Sequence, residues 1–536
     1  MTAQRTRPAS LTAQRTSPAS LTGRRLSRVQ IGEWIDMAAK RSPDRACFVT
    51  GSGTRTFAEV RDRVHRLARG LQEMGLTQGE RVAVLDTDSP EYVETFLALF
   101  KLGAVAVPLN FRLSPAEITT LLRSAEASWA FVGDRYADGV LAVRDDLDHL
   151  DHVVGFGAAA GTVSFDEVLR RGAAGSPREA FVDDEDIVAL AYTSGTTGLP
   201  KGVMQSHRMW KTMVSNAILE YRFLRDEFRY SASPLYHVAG LSLVLNAICR
   251  GSASLIVPQW DPAELLRWCR QGLTDVFLVP TMISALLRQP DVRPDDFATL
   301  RSVFYGAAPM SPELLTQAMA MMRCDFYNGF GAGTEAGMQT VLTPEDHLRA
   351  LDGHPHLLRS VGRPGFNIDL QIWDAAGEEV PVGTVGEIVT RSDMVMSGYH
   401  GQPEKTAQVI SDGWFKGGDL GYLDQDGYLY LAGRKDDMII RGGENVYPLE
   451  IEATLFAHPG VVECAVVGVP DPHWGETVRA HVVLAGGVEA TPEELQAFCR
   501  ERLAKYKVPD HIRIHSETLP KNASGKVLHR LLREQS

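Results

Sequence analysis

The sequence predicts an α/β protein: a large N-terminal domain of layered sheets and helices, a β-rich subdomain, and a small α+β domain at the C-terminal end. Three observations carry this. The chain has 536 residues, too many for one ordinary hydrophobic core. From about Ile31, short apolar runs alternate with segments of helical period, the mark of layered strands and helices with mostly parallel pairing. From about Asp369 the pattern changes to short strand-like runs between Gly-, Asp- and Pro-rich turns, and after Arg434 a compact α+β segment follows.

In chain order, Thr2–Leu11 and Thr12–Leu21 are near-duplicates (TAQRTRPASL, TAQRTSPASL) with no acid before Glu33. Residues 1–30 read as a disordered extension or a duplicated start region; a transit peptide is the alternative, and the apolar stretch of a secretory signal is lacking. Phe57–Met74 carries apolar residues at helical spacing and stops near Gly75. Arg81–Leu85 reads as a buried strand, Glu91–Leu102 as a helix and Ala104–Pro108 as another strand. Further strands are expected over Asp186–Tyr192, Ser254–Val257, Asp275–Val279 and Ser302–Tyr305. Near the end, Leu449–Phe456 and Pro492–Ala504 read as helices and Cys464–Gly468 as a strand. The domains are therefore expected over residues 31–433 and 434–536, with the boundary near Arg434–Asp437.

Composition narrows the function. A formal net charge of -12 argues against a general nucleic-acid binder. The 6 cysteines are scattered without metal-ligand spacing, which points to reduced thiols in a cytoplasmic protein. No apolar run approaches the roughly 18 residues of a membrane span, and the C-terminal Arg533–Ser536 is not a peroxisomal address.

The strongest chemical signal is Thr193-Ser194-Gly195-Thr196-Thr197-Gly198-Leu199-Pro200-Lys201, delivered by the apolar run Ile187–Tyr192. Glycines let backbone amides close around phosphate oxygens, hydroxyls add donors and Lys201 adds charge. The spacing is not that of a Walker A loop.

This run resembles the signature loop of the adenylate-forming superfamily, which includes acyl-CoA synthetases, and further motifs follow in that family's order over nearly the whole chain after Ile31. The resemblance implies an ATP-dependent acid–CoA ligase with a large body and a mobile C-terminal cap. It places Tyr236, His237 and Gly240 at the acyl pocket, with His237 beside the carboxylate and Tyr236 as gate. Gly306, Ala307, Ala308 and Pro309 form one wall of the adenine slot; Asn328, Gly329 and Phe330 lie on the other side, where a flat aromatic suits a purine face. Thr334 contacts the α-phosphate, and Glu335, with Thr197, holds magnesium. Asp419 accepts both ribose hydroxyls, Arg434 lies near ribose or phosphates, and Asp436 is the pivot. Gly442 and Gly443 let pantetheine pass, and Lys526 is the adenylation lysine. One departure stands out: Gly331, Ala332 and Gly333 separate Phe330 from Thr334, one residue more than usual, and the alternative alignment puts Gly331 in the aromatic's place.

The implied chemistry uses ATP, Mg2+ and CoA. The acid's carboxylate attacks the α-phosphorus, pyrophosphate leaves, the cap rotates, and CoA takes the acyl group from AMP. Small and apolar residues over Tyr236–Leu243 and Gly306–Met310 suggest an apolar acid, fatty or aryl. Those segments hold no obvious basic residue for a second carboxylate, although His207 and Arg208 follow the loop. Alternatives are an enzyme of one half-reaction, a ligase loading a separate carrier protein, and a non-catalytic nucleotide binder. The resemblance also suggests a homodimer.

Overall fold

The computed structural model describes residues 29–173, 175–178, 180–193, 200–308, 310–521 and 527–534. The expected extension up to residue 28, Ser194–Gly198 of the loop, Pro309 and Lys526 therefore lie outside the described residues.

Two large sheets build the bulk of the chain. In the nine-stranded sheet, Asp325–Phe330, Ser302–Gly306, Asp275–Leu278, Phe228–Ser231, Ala253–Leu255 and Ala46–Thr50 run parallel, with antiparallel strands at both edges. In the eight-stranded sheet, Ile187–Thr193, Val105–Pro108, Arg81–Leu85, Trp129–Val132 and His152–Gly155 run parallel, and Lys201–Ser206 and Gly398–Tyr399 continue it antiparallel. The expected strand Arg81–Leu85 forms with the bounds read from sequence, because a parallel strand covered on both faces is apolar throughout.

The helix Pro90–Leu102 is buried from Tyr92 to Leu102. One apolar cluster joins it to Cys47, Phe48 and Ile256 on one side and to Val82, Val84, Ala106 and Val188 on the other. Ser89 caps its start and Gly103, at φ 64°, its end. Its charged residues are paired: Glu94 with Arg55 at 2.8 Å and Arg63 at 2.9 Å, and Lys101 with Asp36 at 2.6 Å. The helix Phe57–Glu73 starts in a capping box made by Thr56 and Glu59.

The β-rich region expected after Asp369 is a five-stranded antiparallel sheet of Asp369–Trp373, Gly386–Arg391, Trp414–Leu423, Ile410–Ser411 and Leu429–Arg434. A second five-stranded sheet contains Ile439–Arg441, Glu444–Val446, Val461–Asp471, Gly475–Leu484 and, parallel to the last, His511–His515. With the helices Pro448–Phe456 and Pro492–Arg500 it encloses an apolar cluster of its own, from Ile439 to Ile512. The helix expected to reach Ala504 stops at Arg500, because the Cys499 carbonyl takes the amides of both Arg502 and Leu503 and closes a terminal turn. Among the described residues no helix is long and apolar enough to cross a membrane.

Candidate active site

Ligands of parallel sheets settle at the carboxyl ends of the strands. Here the two large sheets bring those ends together. Ile187–Thr193 and Lys201–Ser206 pair antiparallel, with Thr193 opposite Lys201. The glycine and hydroxyl loop is thus a hairpin tip, and the helix His207–Glu220 begins only after Ser206. No helix N-terminus follows the loop directly, so any grip on phosphate rests on backbone amides, hydroxyls and Lys201.

From the nine-stranded sheet, the turn after Asp325–Phe330 carries Thr334 and Glu335 in a short helix, Gly333–Ala336. Thr193 Oγ1 donates to Glu335 Oε1 at 3.5 Å. The Thr334 carbonyl accepts from Gln205 Nε2 at 2.8 Å, and the Glu335 carbonyl accepts from the Met396 amide at 2.7 Å. The Lys201 ammonium lies 5.1 Å from the Tyr399 ring centre, within cation–π range. Burial pushes the Glu335 carboxyl up, while Lys201 and Arg434 pull it back. Burial and the Glu335 carboxylate, to which it is hydrogen bonded, raise the Tyr399 phenol. Arg434 Nε sits 3.0 Å from Asp419 Oδ1, across a strand pair in which the two residues face each other. Thr193, Lys201, Glu335, Asp419 and Arg434 therefore share one charged site. Glu335 and Thr193 present the oxygen donors that a hard cation takes when phosphates supply the rest of its shell.

Gly306 and Gly329 are register partners at the ends of adjacent strands. A Cβ on Gly306 would stand 2.4 Å from the Gly329 carbonyl oxygen, so only glycine lets these backbones approach. Ala307, at φ 64°, and Ala308 lie exposed just beyond, and Asn328 is buried. The Phe330–Thr334 insertion also has a steric answer. A Cβ on Gly331 would lie 2.1 Å from the Gly337 carbonyl oxygen, so no aromatic fits there. Phe330 is the aromatic this turn carries; it is half-buried and packs on Leu370, Ile372, Ile388 and Leu429.

On the acyl side, His237 is the N-cap residue of the helix Val238–Arg250, without a side-chain capping bond. Gly240 is pressed against the Ser233 and Pro234 carbonyls. The Tyr236 and His237 rings stand 4.3 Å apart. Burial, helped by Arg112, pushes the His237 imidazole down to about 4, so it is neutral near pH 7. Gly333 faces Val238, joining this segment to the Thr334–Glu335 turn. Two residues that the motifs did not reveal converge here: Asp88 Oδ1 accepts from the Leu235 amide at 2.9 Å, and Arg112 Nη1 donates to the Tyr236 hydroxyl at 3.0 Å. The residues after the loop point elsewhere. His207 is fully buried, and Arg208 pairs with Glu185 at 2.8 Å.

Asp436 is exposed in the turn Lys435–Asp437; its neighbour Lys435 pairs with Glu387 at 3.0 Å and Asp437 with Arg533 at 2.9 Å. Gly442 (φ 59°) and Gly443 (φ 89°) form the tip of the hairpin Ile439–Arg441 to Glu444–Val446, with Trp474 against Gly442. The segment holding Lys526 lies between Lys521 and Val527, which form an antiparallel bridge.

A family model described as "AMP-binding enzyme" matches residues 35–400, and one described as "AMP-binding enzyme C-terminal domain" matches residues 450–526. Feruloyl-CoA synthase from an Amycolatopsis species is 38% identical over 500 residues, covering 93% of this chain and 97% of that protein. The fatty acid–[acyl-carrier-protein] ligase ScoC of Streptomyces coeruleorubidus is 33% identical over 503 residues, covering 93% and 94%. The solved structure of the amide bond synthetase McbA from Marinactinospora thermotolerans matches with a TM-score of 0.85 at 30% identity, covering 94% of this chain and 99% of that one.

Proposed function

The chain belongs to the AMP-binding enzyme family, and from that premise we propose that it is an AMP-forming acid–CoA ligase acting on an apolar fatty or aryl acid. The observation that carries the reading is the meeting of Lys201, Glu335, Asp419 and Arg434 in one site beside the Tyr236–His237 segment. In the first half-reaction a carboxylate oxygen bonds to the α-phosphorus of ATP and the bond to pyrophosphate breaks. Lys201 and the loop amides hold the phosphates, and Thr334 contacts the α-phosphate. Asp419 accepts the ribose hydroxyls, a charge-assisted pairing, with Arg434 beside it. The adenine lies between Gly306–Pro309 and Phe330. Magnesium, held by Glu335 with Thr197, supplies charge neutralisation on the triphosphate. Lys526 offsets the growing charge as pyrophosphate departs. Neutral His237 offers the acyl carboxylate a hydrogen bond without adding a cation.

In the second half-reaction the cap, residues 434–536, turns about Asp436 and carries Lys526 away. The Gly442–Gly443 hairpin lines the path of pantetheine. The CoA sulfur then bonds to the acyl carbon, and AMP leaves with the former carboxylate oxygen. The described cysteines are free, which suits the reducing cytoplasm in which we place the enzyme.

The test is an acid panel with ATP, magnesium and CoA, scoring acid-dependent AMP and pyrophosphate. Release of neither product over fatty and aryl acids refutes the reading. The relatives named above differ in acceptor, so a second reading is transfer to a carrier protein; faster acylation of a carrier than of CoA would establish it.

A further inference from the structure

Two loops, each leaving the carboxyl end of a parallel strand, reach over to the acyl segment. Strand Arg81–Leu85 runs on to Asp88, whose carboxylate takes the Leu235 amide at 2.9 Å. The adjacent strand Val105–Pro108 runs on to a turn in which Asn110 Oδ1 accepts the Arg112 amide at 3.0 Å. From that turn the Phe111 ring meets Tyr236 edge-on, with centroids 5.5 Å apart and planes at 88°. The Arg112 guanidinium lies 5.1 Å from the Phe111 ring centre and donates to the Tyr236 hydroxyl at 3.0 Å. Tyr236 is buried, and its free motion would be swinging away from His237, 4.3 Å distant. The phenol–guanidinium bond and the Phe111 edge contact block that swing from two sides.

We propose that Arg112 is a positioning residue that clamps the Tyr236 ring against His237 and so fixes the wall of the acyl site. This rests on the ligase reading above. A clamp of this kind acts on the acid's fit and leaves the nucleotide's unchanged, because neither Arg112 nor Tyr236 touches Lys201, Glu335 or Asp419. An arginine suits the task, since its planar fork keeps its direction while it stacks on a ring; a lysine would supply charge without that fixed geometry.

The experiment compares wild type, Arg112→Ala, Arg112→Lys, Tyr236→Phe and the double variant Arg112→Ala/Tyr236→Phe by acid-dependent pyrophosphate release, with KM for acid and for ATP measured separately. The expected result is an acid KM raised about tenfold in Arg112→Ala and in Tyr236→Phe, with ATP KM within about twofold of wild type. The double variant should be no worse than the poorer single, because both remove one contact. Arg112→Lys should recover only part of the loss. An unchanged acid KM in both singles, a parallel rise in ATP KM, or multiplying effects in the double variant overturns the clamp. If Arg112→Ala does not fold, Tyr236→Phe alone reads the same bond. An inactive wild type condemns the ligase reading itself, so the two failures are distinguishable.

Discussion

Replacing Gln205 by methionine tests whether the two sheets jointly hold the catalytic turn. Gln205 is fully buried on the strand Lys201–Ser206. It donates to the Thr334 carbonyl at 2.8 Å and accepts from Trp210 Nε1 at 3.1 Å. Methionine keeps the length of the side chain and removes both bonds. A buried carbonyl and a buried indole N–H then lose their partners, at about 1–3 kcal/mol each, so destabilisation of about 2–6 kcal/mol is expected. The freed Thr334 carbonyl also loosens the turn that carries Glu335. Each 1.4 kcal/mol of transition-state stabilisation lost there slows adenylation about tenfold. Thermal denaturation and acid-dependent pyrophosphate exchange into ATP measure the two effects. The cycle is completed with Trp210→Phe and the double variant. Phenylalanine removes the stranded donor, so relative to Trp210→Phe alone the Gln205→Met penalty on stability should shrink by about 1–3 kcal/mol. The rate defect should stay, because Thr334 remains unpaired. Wild-type stability and exchange in Gln205→Met, or a double variant with its rate restored, would refute the link between the strand and the turn.

Further outcomes follow from single groups. Lys526→Ala should abolish pyrophosphate exchange yet still make thioester from supplied acyl-adenylate; equal loss of both steps removes the role given to this lysine. Gly331→Ala places a carbon 2.1 Å from the Gly337 carbonyl oxygen, so the turn must open, with a stability loss of about 1–3 kcal/mol and lost adenylation; a wild-type melting curve would contradict the packing. Burial pushes His207, His237, His347 and His481 all down to about 4 in the folded chain, below the ordinary value of about 6.5. Below pH 6.5 the unfolded chain takes up protons that the folded one refuses, so stability should be full above 6.5 and fall towards pH 4, about 1.4 kcal/mol per pH unit for each proton. His347 Nε2 faces the Tyr305 hydroxyl at 2.9 Å and Nδ1 the Thr343 carbonyl at 2.7 Å. His347→Gln should therefore flatten the acid slope seen in denaturant melts, and an unchanged slope would show that His347 is not one of the four.

What the chain order reveals and what it hides have a common cause. Contiguous runs were readable: the strand Arg81–Leu85, the helix starting near Glu91, and the loop Thr193–Lys201 each carry their signal within a dozen residues. The hairpin nature of that loop was not, because it depends on Thr193 pairing with Lys201 rather than on either residue's type. Gln205, Arg112 and Asp88 escaped notice for a related reason. Their partners lie 129, 124 and 147 residues away, and each residue alone looks like an ordinary polar side chain. One signal was available for the last two: both follow an apolar strand that the sequence had identified, and the carboxyl ends of parallel strands are where ligands bind. Tyr399 offered no such cue, since Gly398–Tyr399 is a two-residue strand recognisable only by its pairing with Val203 and Met204.

These hidden residues share a placement that explains the architecture. Thr334 and Glu335 hang from the nine-stranded sheet, yet Gln205 and Tyr399, which meet the Thr334 carbonyl and the Glu335 carboxylate, belong to the eight-stranded one. Neither sheet alone holds both the phosphate loop and the carboxylate beside it. Their distance is set by the packing between the sheets, around the helix Pro90–Leu102 and its paired Glu94 and Lys101. Close packing transmits displacements instead of absorbing them. A volume change on that helix therefore shifts Glu335 relative to Lys201, although no residue of the helix lies in the site. The buried helix thus belongs to the catalytic geometry as well as to the core.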